Sequence, residues 1–233
     1  VENNNEYSND NVGYIGRHVP RKRPEIPIFA VKKLGNKKIK VWNMGVDYKK
    51  NENDYWKKLE KKFKDQLNII PFSSDPKLKN KFWNSVGVNS ITGIYEPFGY
   101  TMCETLDRRI PAIVQNLDGP KEIVNEVKEN VYLYDVKENI KEDIKSFSNA
   151  LEKFWSTDPS VRKKKCEEAR KALDKFRPQV IKEKWKELFN TSIKEEIYKN
   201  RVTNNQLNKF SNYLKIPSYG YLDELKIYLK KNI

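Results

Sequence analysis

A doubly wound α/β domain, with a parallel sheet of about six strands and helices on both faces, is the fold class this sequence predicts. Three observations carry that expectation. Short, β-branched apolar runs alternate with amphipathic stretches from residue 12 to residue 135. The junctions carry turn and cap residues, glycine after an apolar run or Asp-Pro before a helical one. Beyond residue 136 the alternation gives way to helical periodicity alone. Strands separated by helices pair in parallel through right-handed crossovers, and in such sheets ligands bind beyond the carboxyl ends of the strands.

The elements follow in order. "VGYIG" (12–16) reads as a short buried strand closed by glycine, "EIPIFAVKKLG" (25–35) as a helix ended by Gly35, and "KIKVWNMG" (38–45) as a strand. In "DYWKKLEKKFKDQ" (54–66), Tyr55, Trp56, Leu59 and Phe63 recur on one helical face. "LNIIPF" (67–72) is strand-like, and "DPKLKNKFWNS" (75–85) opens with an N-cap and a first-turn proline. "VGVNSI" (86–91) is a poorer strand, because asparagine and serine interrupt it. "YTMCETLDRR" (100–109) is helical, "IPAIVQN" (110–116) a strand, "GPKEIVNEV" (119–127) the start of a helix and "NVYLYD" (130–135) a last strand. Three helices follow, over 135–156, 159–176 and 178–200.

Composition bounds the function. The 233 residues are 37% apolar, with five Trp, 13 Tyr and 10 Phe, enough for a packed core. The longest apolar runs, such as "IPIFAV" (26–31), are much too short to cross a bilayer, so no transmembrane segment is expected. Lys and Arg exceed Asp and Glu by 46 to 32, a net charge of +14. That field attracts polyanions, although the lysines are scattered along polar faces rather than gathered in one tract. Cys103 and Cys166 lie far apart and His18 is the single histidine, too few ligands for a zinc cluster. Both cysteines read as free thiols of a reducing, cytoplasmic compartment.

The stretch "IYEPFGYTMCE" (94–104) sets two carboxylates, Glu96 and Glu104, around a Pro-Phe-Gly turn that opens a helix. Gly99 removes a side chain where something must approach the backbone, and a helix start offers free amides to a phosphate. The acids would repel phosphate but accept hydrogen bonds from sugar hydroxyls. A nucleoside diphosphate sugar carries both kinds of group. Taken singly, Glu96 reads as a turn residue, Glu104 as a helix-surface acid, and Arg17 and Lys22 as solvated cations. His18 reads as a loop residue rather than a proton shuttle, and Cys103 with Met102 as packing against the sheet.

"IYEPFGYTMCETLDRRIPAIVQNLDGPKEIV" resembles the donor-site signature of retaining glycosyltransferases of the two-domain GT-B architecture, in which a Glu, seven residues and a second Glu carry the nucleotide sugar. "YIGRHVPRKRPEI" is similar to the Gly-Arg…Lys element of that family, here Gly16, Arg17 and Lys22. The resemblance covers roughly residues 12–190. It implies that Arg17 and Lys22 contact the diphosphate, Glu96 the hydroxyls of the sugar and Glu104 those of the ribose. Backbone groups of Phe98, Gly99, Tyr100 and Thr101 would line sugar and phosphates, and Phe72 in "PFSS" (71–74) would seat the base. Arg17, Lys22 and Glu96 would form the catalytic set, with no metal and no cofactor beyond a UDP- or GDP-sugar donor. The chain departs from the family at Thr92-Gly93, where Pro-Ser is usual, at "TLDRR" after Glu104, at Asp118-Gly119 and at Val131.

The organisation expected is a tail or linker over 1–11, a donor-binding domain over 12–195 and a small helical hairpin over 201–233. The hairpin, with Leu207, Phe210 and Leu214 on one helix and Leu222, Leu225 and Leu229 on the next, is similar to the DNA-binding SAP module. Its lysines would meet phosphates, while a plain helical hairpin packing on the main domain or a partner is the simpler reading. The chain matches only the donor half of a GT-B enzyme, so an acceptor domain is expected in cis or from another chain. The function implied is hexose transfer from a nucleoside-diphosphate sugar to a glycan or glycolipid. A glucosyltransferase acting on bases of duplex DNA and a catalytically degenerate binding module are the alternatives.

Overall fold

The computed structural model describes residues 7–46, 53–94, 96–117, 123, 127–137 and 139–194. Contacts divide the chain into two units at Arg177/Pro178. The first holds β1 (Val12–Ile15), α1 (Ile26–Leu34), β2 (Val41–Val46), α2 (Asn53–Lys62), β3 (Leu67–Pro71), α3 (Pro76–Ser85), β4 (Val88–Ile91), α4 (Tyr100–Asp107), β5 (Ala112–Gln115), β6 (Tyr132–Tyr134), α5 (Ile140–Ser156) and α6 (Pro159–Ala172). The described part of the second is α7 (Pro178–Lys194), on which Trp185 and Phe189 stack at 5.6 Å. The hairpin expected at 201–233 lies outside the described residues. So does most of the helix expected at 119–127, of which Ile123 and Val127 are described, both buried.

The six strands form one sheet in the order β3-β2-β1-β4-β5-β6, and every pairing is parallel. The fold is Rossmann-like, and strand order reverses between β1 and β4. That reversal opens a crevice at their carboxyl ends. The loops leaving these two strands carry the Arg17–Lys22 and Glu96–Glu104 segments.

Side chains alternate across the sheet as a two-sided burial requires. Val12, Val41, Val88, Ile113 and Tyr132 face Ile26, Val31, Phe147, Leu151 and Phe154 of α1 and α5. On the other face Ala112 and Val114 meet Met102 and Leu106 of α4 and Ala169 of α6. Met44 and Ile70 meet Phe82 and Trp83 of α3 there. Each of the Val, Ile, Leu, Phe and Met side chains among these contributes roughly 1.5–3 kcal/mol when taken out of water.

Local signals act where the sequence placed them. Gly35 closes α1 at φ 72°, and its amide donates to the carbonyls of Val31 and Lys32. The Asp75 carboxylate caps α3 by accepting from the amide of Lys77 at 2.9 Å. The strand that read as poor is central: β4 is buried throughout, with Asn89 Nδ2 donating to Thr105 Oγ1 of α4 at 2.8 Å. That bond satisfies the donor end of the buried amide, while its Oδ1 has no partner among the described residues. α2 stops at Lys62, short of 66, because a turn at Phe63–Gln66 delivers Leu67 straight into β3.

Residues 7–11, within the stretch read as a tail, are docked. The amides of Gly87 and Val88 donate to the carbonyl of Asn11, and the Arg162 guanidinium donates to the carbonyl of Tyr7 and the carboxylate of Asp10. Trp155 Nε1 adds a bond to the carbonyl of Asp10 at 3.1 Å. A polar segment can be fixed by hydrogen bonds alone, which leave no apolar periodicity to read.

Candidate donor site

Gly16 follows β1, and its amide donates to the carbonyl of Met44 at 3.0 Å. β2 presses against it at Gly45, which has φ 122°, and a Cβ there would lie 2.1 Å from the carbonyl oxygen of Gly16. Tyr14, buried beneath, donates its hydroxyl to the carbonyl of Arg17 at 3.0 Å, and burial pushes that phenol well above its ordinary range. The loop then makes a 3-10 turn at Pro20–Lys22. Opposite it the chain leaves β4 through Thr92 and Gly93. Gln115 Nε2 of β5 donates to the carbonyl of Gly93 at 2.6 Å.

Thr92 and Ile94 join the two loops. The Thr92 hydroxyl reaches the carbonyls of Lys22 and Arg23 at 2.8 and 3.0 Å, and the Ile94 amide donates to the carbonyl of Arg21 at 2.8 Å. Across this seam Lys22 Nζ is ion-paired with Glu96 Oε2. Gly93 makes room for the lysine stem, since a Cβ there would lie 3.0 Å from Lys22 Cδ. Burial, followed by the charges of Arg21 and Arg17, holds the Lys22 ammonium below the ordinary lysine range. The Glu96 carboxylate pulls in the opposite direction.

Gly99 caps α4 at φ 96°, a conformation that favours glycine, and its carbonyl accepts from the amides of Met102 and Cys103. The first-turn amides of a helix have no intrahelical acceptor, so those of Tyr100 and Thr101 are presented at the helix start. The result is a cleft of about 340 Å³. Gly16, Arg17, Lys22, Phe72, Glu96, Gly99, Tyr100, Thr101 and Glu104 all line it. Cations and carboxylates therefore share one cavity at the strand-order reversal. Phe98 is not among the lining residues. Its ring packs inward, edge-on to Phe176 at 5.6 Å and against the core beside α4. Phe72 and Tyr100 are 70% and 74% exposed, and the Tyr100 ring leans on that of Phe98 at 5.0 Å.

The cleft also draws on residues that the sequence reading did not single out for a site, among them Tyr14, Gly45, Ser73, Lys79 and Ser90. Lys79 carried one signal: it stands one helical turn beyond the Asp75 cap, on the helix that follows the "PFSS" loop. Ser90 carried none, because an inward serine on a strand looks like any other.

A second cavity of about 420 Å³ adjoins the first and shares Lys79 and Glu104 with it. Two of its guanidiniums are already answered by acids, and the third, that of Arg108, lies over the Trp83 ring at 5.3 Å. Arg170 bonds Asp107 at 2.7 Å and Asp174 at 2.8 Å, and Arg109 bonds Glu167 at 3.1 Å. Such compensated charge holds little attraction for an anion.

His18 lies outside the cleft lining. It is buried, bonded through Nε2 to Asn43 and edge-on to Trp56 at 4.4 Å. Burial pushes the Cys103 thiol up to about 11 and that of Cys166 to about 12. Neither is a thiolate near neutral pH, so neither is a ready nucleophile.

Comparison with known proteins agrees with this geometry. The sequence profile of the family described as glycosyl transferases group 1 matches residues 2–172. Sucrose-phosphate synthase from Thermosynechococcus elongatus superposes with a TM-score of 0.65 at 18% identity, covering 80% of this chain and 46% of that one. Anabaena HepE, solved in complex with UDP and glucose, gives 0.62 at 18% identity, over 78% of this chain and 48% of that one. The C-terminal domain of a group 1 glycosyl transferase, LpcC from Francisella tularensis, gives 0.57 at 20% identity, over 70% of this chain and 83% of that domain. The chain thus spans under half the length of the first two and most of the isolated C-terminal domain. No curated protein sequence matches. The fold is that of the C-terminal half of GT-B glycosyltransferases, and the chain belongs to the glycosyl transferases group 1 family.

Proposed function

We propose that this polypeptide is the donor-binding half of a retaining glycosyltransferase that moves a hexose from a nucleoside-diphosphate sugar to a glycan or glycolipid. One observation carries the reading: Arg17, Lys22, Glu96, Glu104 and the start of α4 at Gly99 line a single cleft. The amides of Tyr100 and Thr101, with Arg17 and Lys22, receive the diphosphate. Glu96 accepts hydrogen bonds from the hexose hydroxyls and Glu104 from the ribose. Phe72 stacks on the base. As the bond from the anomeric carbon to the diphosphate oxygen breaks, its electron pair stays on the diphosphate. The Arg17 and Lys22 charges stabilise that growing negative charge, and fixed donors in a cleft do so without reorganising.

The Lys22–Glu96 ion pair supports the same reading. Each residue is the other's partner in the structure, and a donor that brings phosphate to one and hydroxyls to the other exchanges that pair for two new ones. On this reading residues 12–195 form the donor domain, and the acceptor domain is supplied in cis or by another chain.

Calorimetric titration of UDP- and GDP-sugars tests the proposal. Glu96→Gln and Arg17→Ala should each weaken donor binding by about tenfold to a hundredfold, the range for one charge-assisted hydrogen bond. Donor affinity equal to wild type in both variants would remove the assignment.

A further inference from the structure

We infer that Arg23 and Asp143 form a buried strut that positions Lys22 over the diphosphate site, making Arg23 a positioning residue for donor binding. The inference rests on the donor-site reading. Lys22 and Arg23 are consecutive, yet their side chains go opposite ways. Lys22 enters the cleft and meets Glu96. Arg23 turns away from the cleft toward α5 and β6. Its Nη1 donates to Asp143 Oδ2 at 2.8 Å and its Nη2 to the hydroxyl of Tyr134 at 3.3 Å. Asp143 is buried and Arg23 partly so, with side-chain exposures of 5% and 11%.

The backbone explains why the strut matters. Arg23 has φ 49°, in the left-handed region that a non-glycine residue seldom occupies. That conformation reverses the side-chain direction between residues 22 and 23. The cleft side of the turn is held by Thr92 and Ile94. On the opposite side the Arg23 side chain bonds Asp143 and Tyr134. Asp143 is itself fixed, since its Oδ1 accepts from the amide of Lys137 and it lies in the first turns of α5. A long lysine side chain reaches a useful position only if its Cα is held. Here the hold runs from α5 through Asp143 and Arg23 to Lys22. A buried ion pair broken on one side leaves an uncompensated charge, which the turn relieves by moving.

The test separates positioning from folding and from the donor reading. UDP, UMP, GDP and GMP are titrated into the intact chain and into Arg23→Gly, Asp143→Asn and Arg23→Lys, with melting temperatures alongside. Glycine tolerates φ 49°, so Arg23→Gly removes the strut without adding backbone strain. Lys22 would engage the diphosphate, so diphosphate affinity should fall about tenfold in Arg23→Gly and Asp143→Asn, while monophosphate affinity stays within twofold. Arg23→Lys, which keeps the charge, should recover part of the loss. Folded variants that bind all four nucleotides as wild type does, or lose mono- and diphosphates in equal proportion, would overturn the strut. If Arg23→Gly does not fold, Asp143→Asn decides by the same ratio. A wild-type chain that binds neither UDP nor GDP would instead refute the donor site, and the strut with it.

Discussion

Lys22 is the residue at which burial, charge and the proposed donor binding meet. Its ammonium is the form that attracts phosphate, and burial beside Arg21 and Arg17 lowers the pH at which that form is lost. Donor affinity should therefore decline on the alkaline side at a pH below the ordinary lysine range. Lys22→Arg, whose guanidinium stays charged, should abolish that alkaline limb in a titration series, and an unchanged limb would assign it elsewhere. The stability sign follows from the same shift. Between the lowered folded value and the ordinary one the unfolded chain holds more protons at this site, so the contribution of Lys22 to stability rises with pH across that window. Glu96→Gln removes the carboxylate that works against the shift, and should move the alkaline limb lower still. Arg17, Lys22, Glu96 and Glu104 were each legible only as parts of a joint pattern. Arg23 was not, because no local spacing distinguishes a strut from a solvated cation.

Among the elements, two local devices are open to direct measurement. The Asp75 cap satisfies an amide at the start of α3, and Asp75→Ala should cost about 1 kcal/mol in a denaturant titration. Gly87 precedes β4 where the docked segment 7–11 crosses it, and a Cβ at this position would lie 1.7 Å from the carbonyl oxygen of Asn9. Gly87→Ala should therefore displace that segment and cost roughly 1–3 kcal/mol, the range for forced overpacking. A melting temperature equal to wild type would show that the segment contributes nothing there. The helix and strand sequence was readable because side-chain period and cap residues are properties of neighbours along the chain. β4 read as a poorer strand because its worth is set by burial: Asn89 is an interruption by propensity, yet in the sheet it is fully buried and its Nδ2 is bonded to Thr105.

For the molecule as a whole, the reversal of strand order between β1 and β4 places both candidate loops at one crevice. The chain spans 46% and 48% of two of the longer relatives, and the proposed acceptor site belongs to a domain beyond the described donor half. The polypeptide on its own should accordingly bind a nucleotide sugar in a thermal-shift assay yet transfer hexose slowly. Efficient turnover by these 233 residues alone would contradict that division of labour. The sequence by itself determined the α/β alternation, the caps and the order of the donor motifs, because each depends on residues a few positions apart. Only the tertiary structure decided that Lys22 meets Glu96 and Arg23 meets Asp143, pairs separated by 74 and 120 positions. Such contacts depend on how crossovers lay one strand beside another, and a single chain's local periodicity carries no record of that.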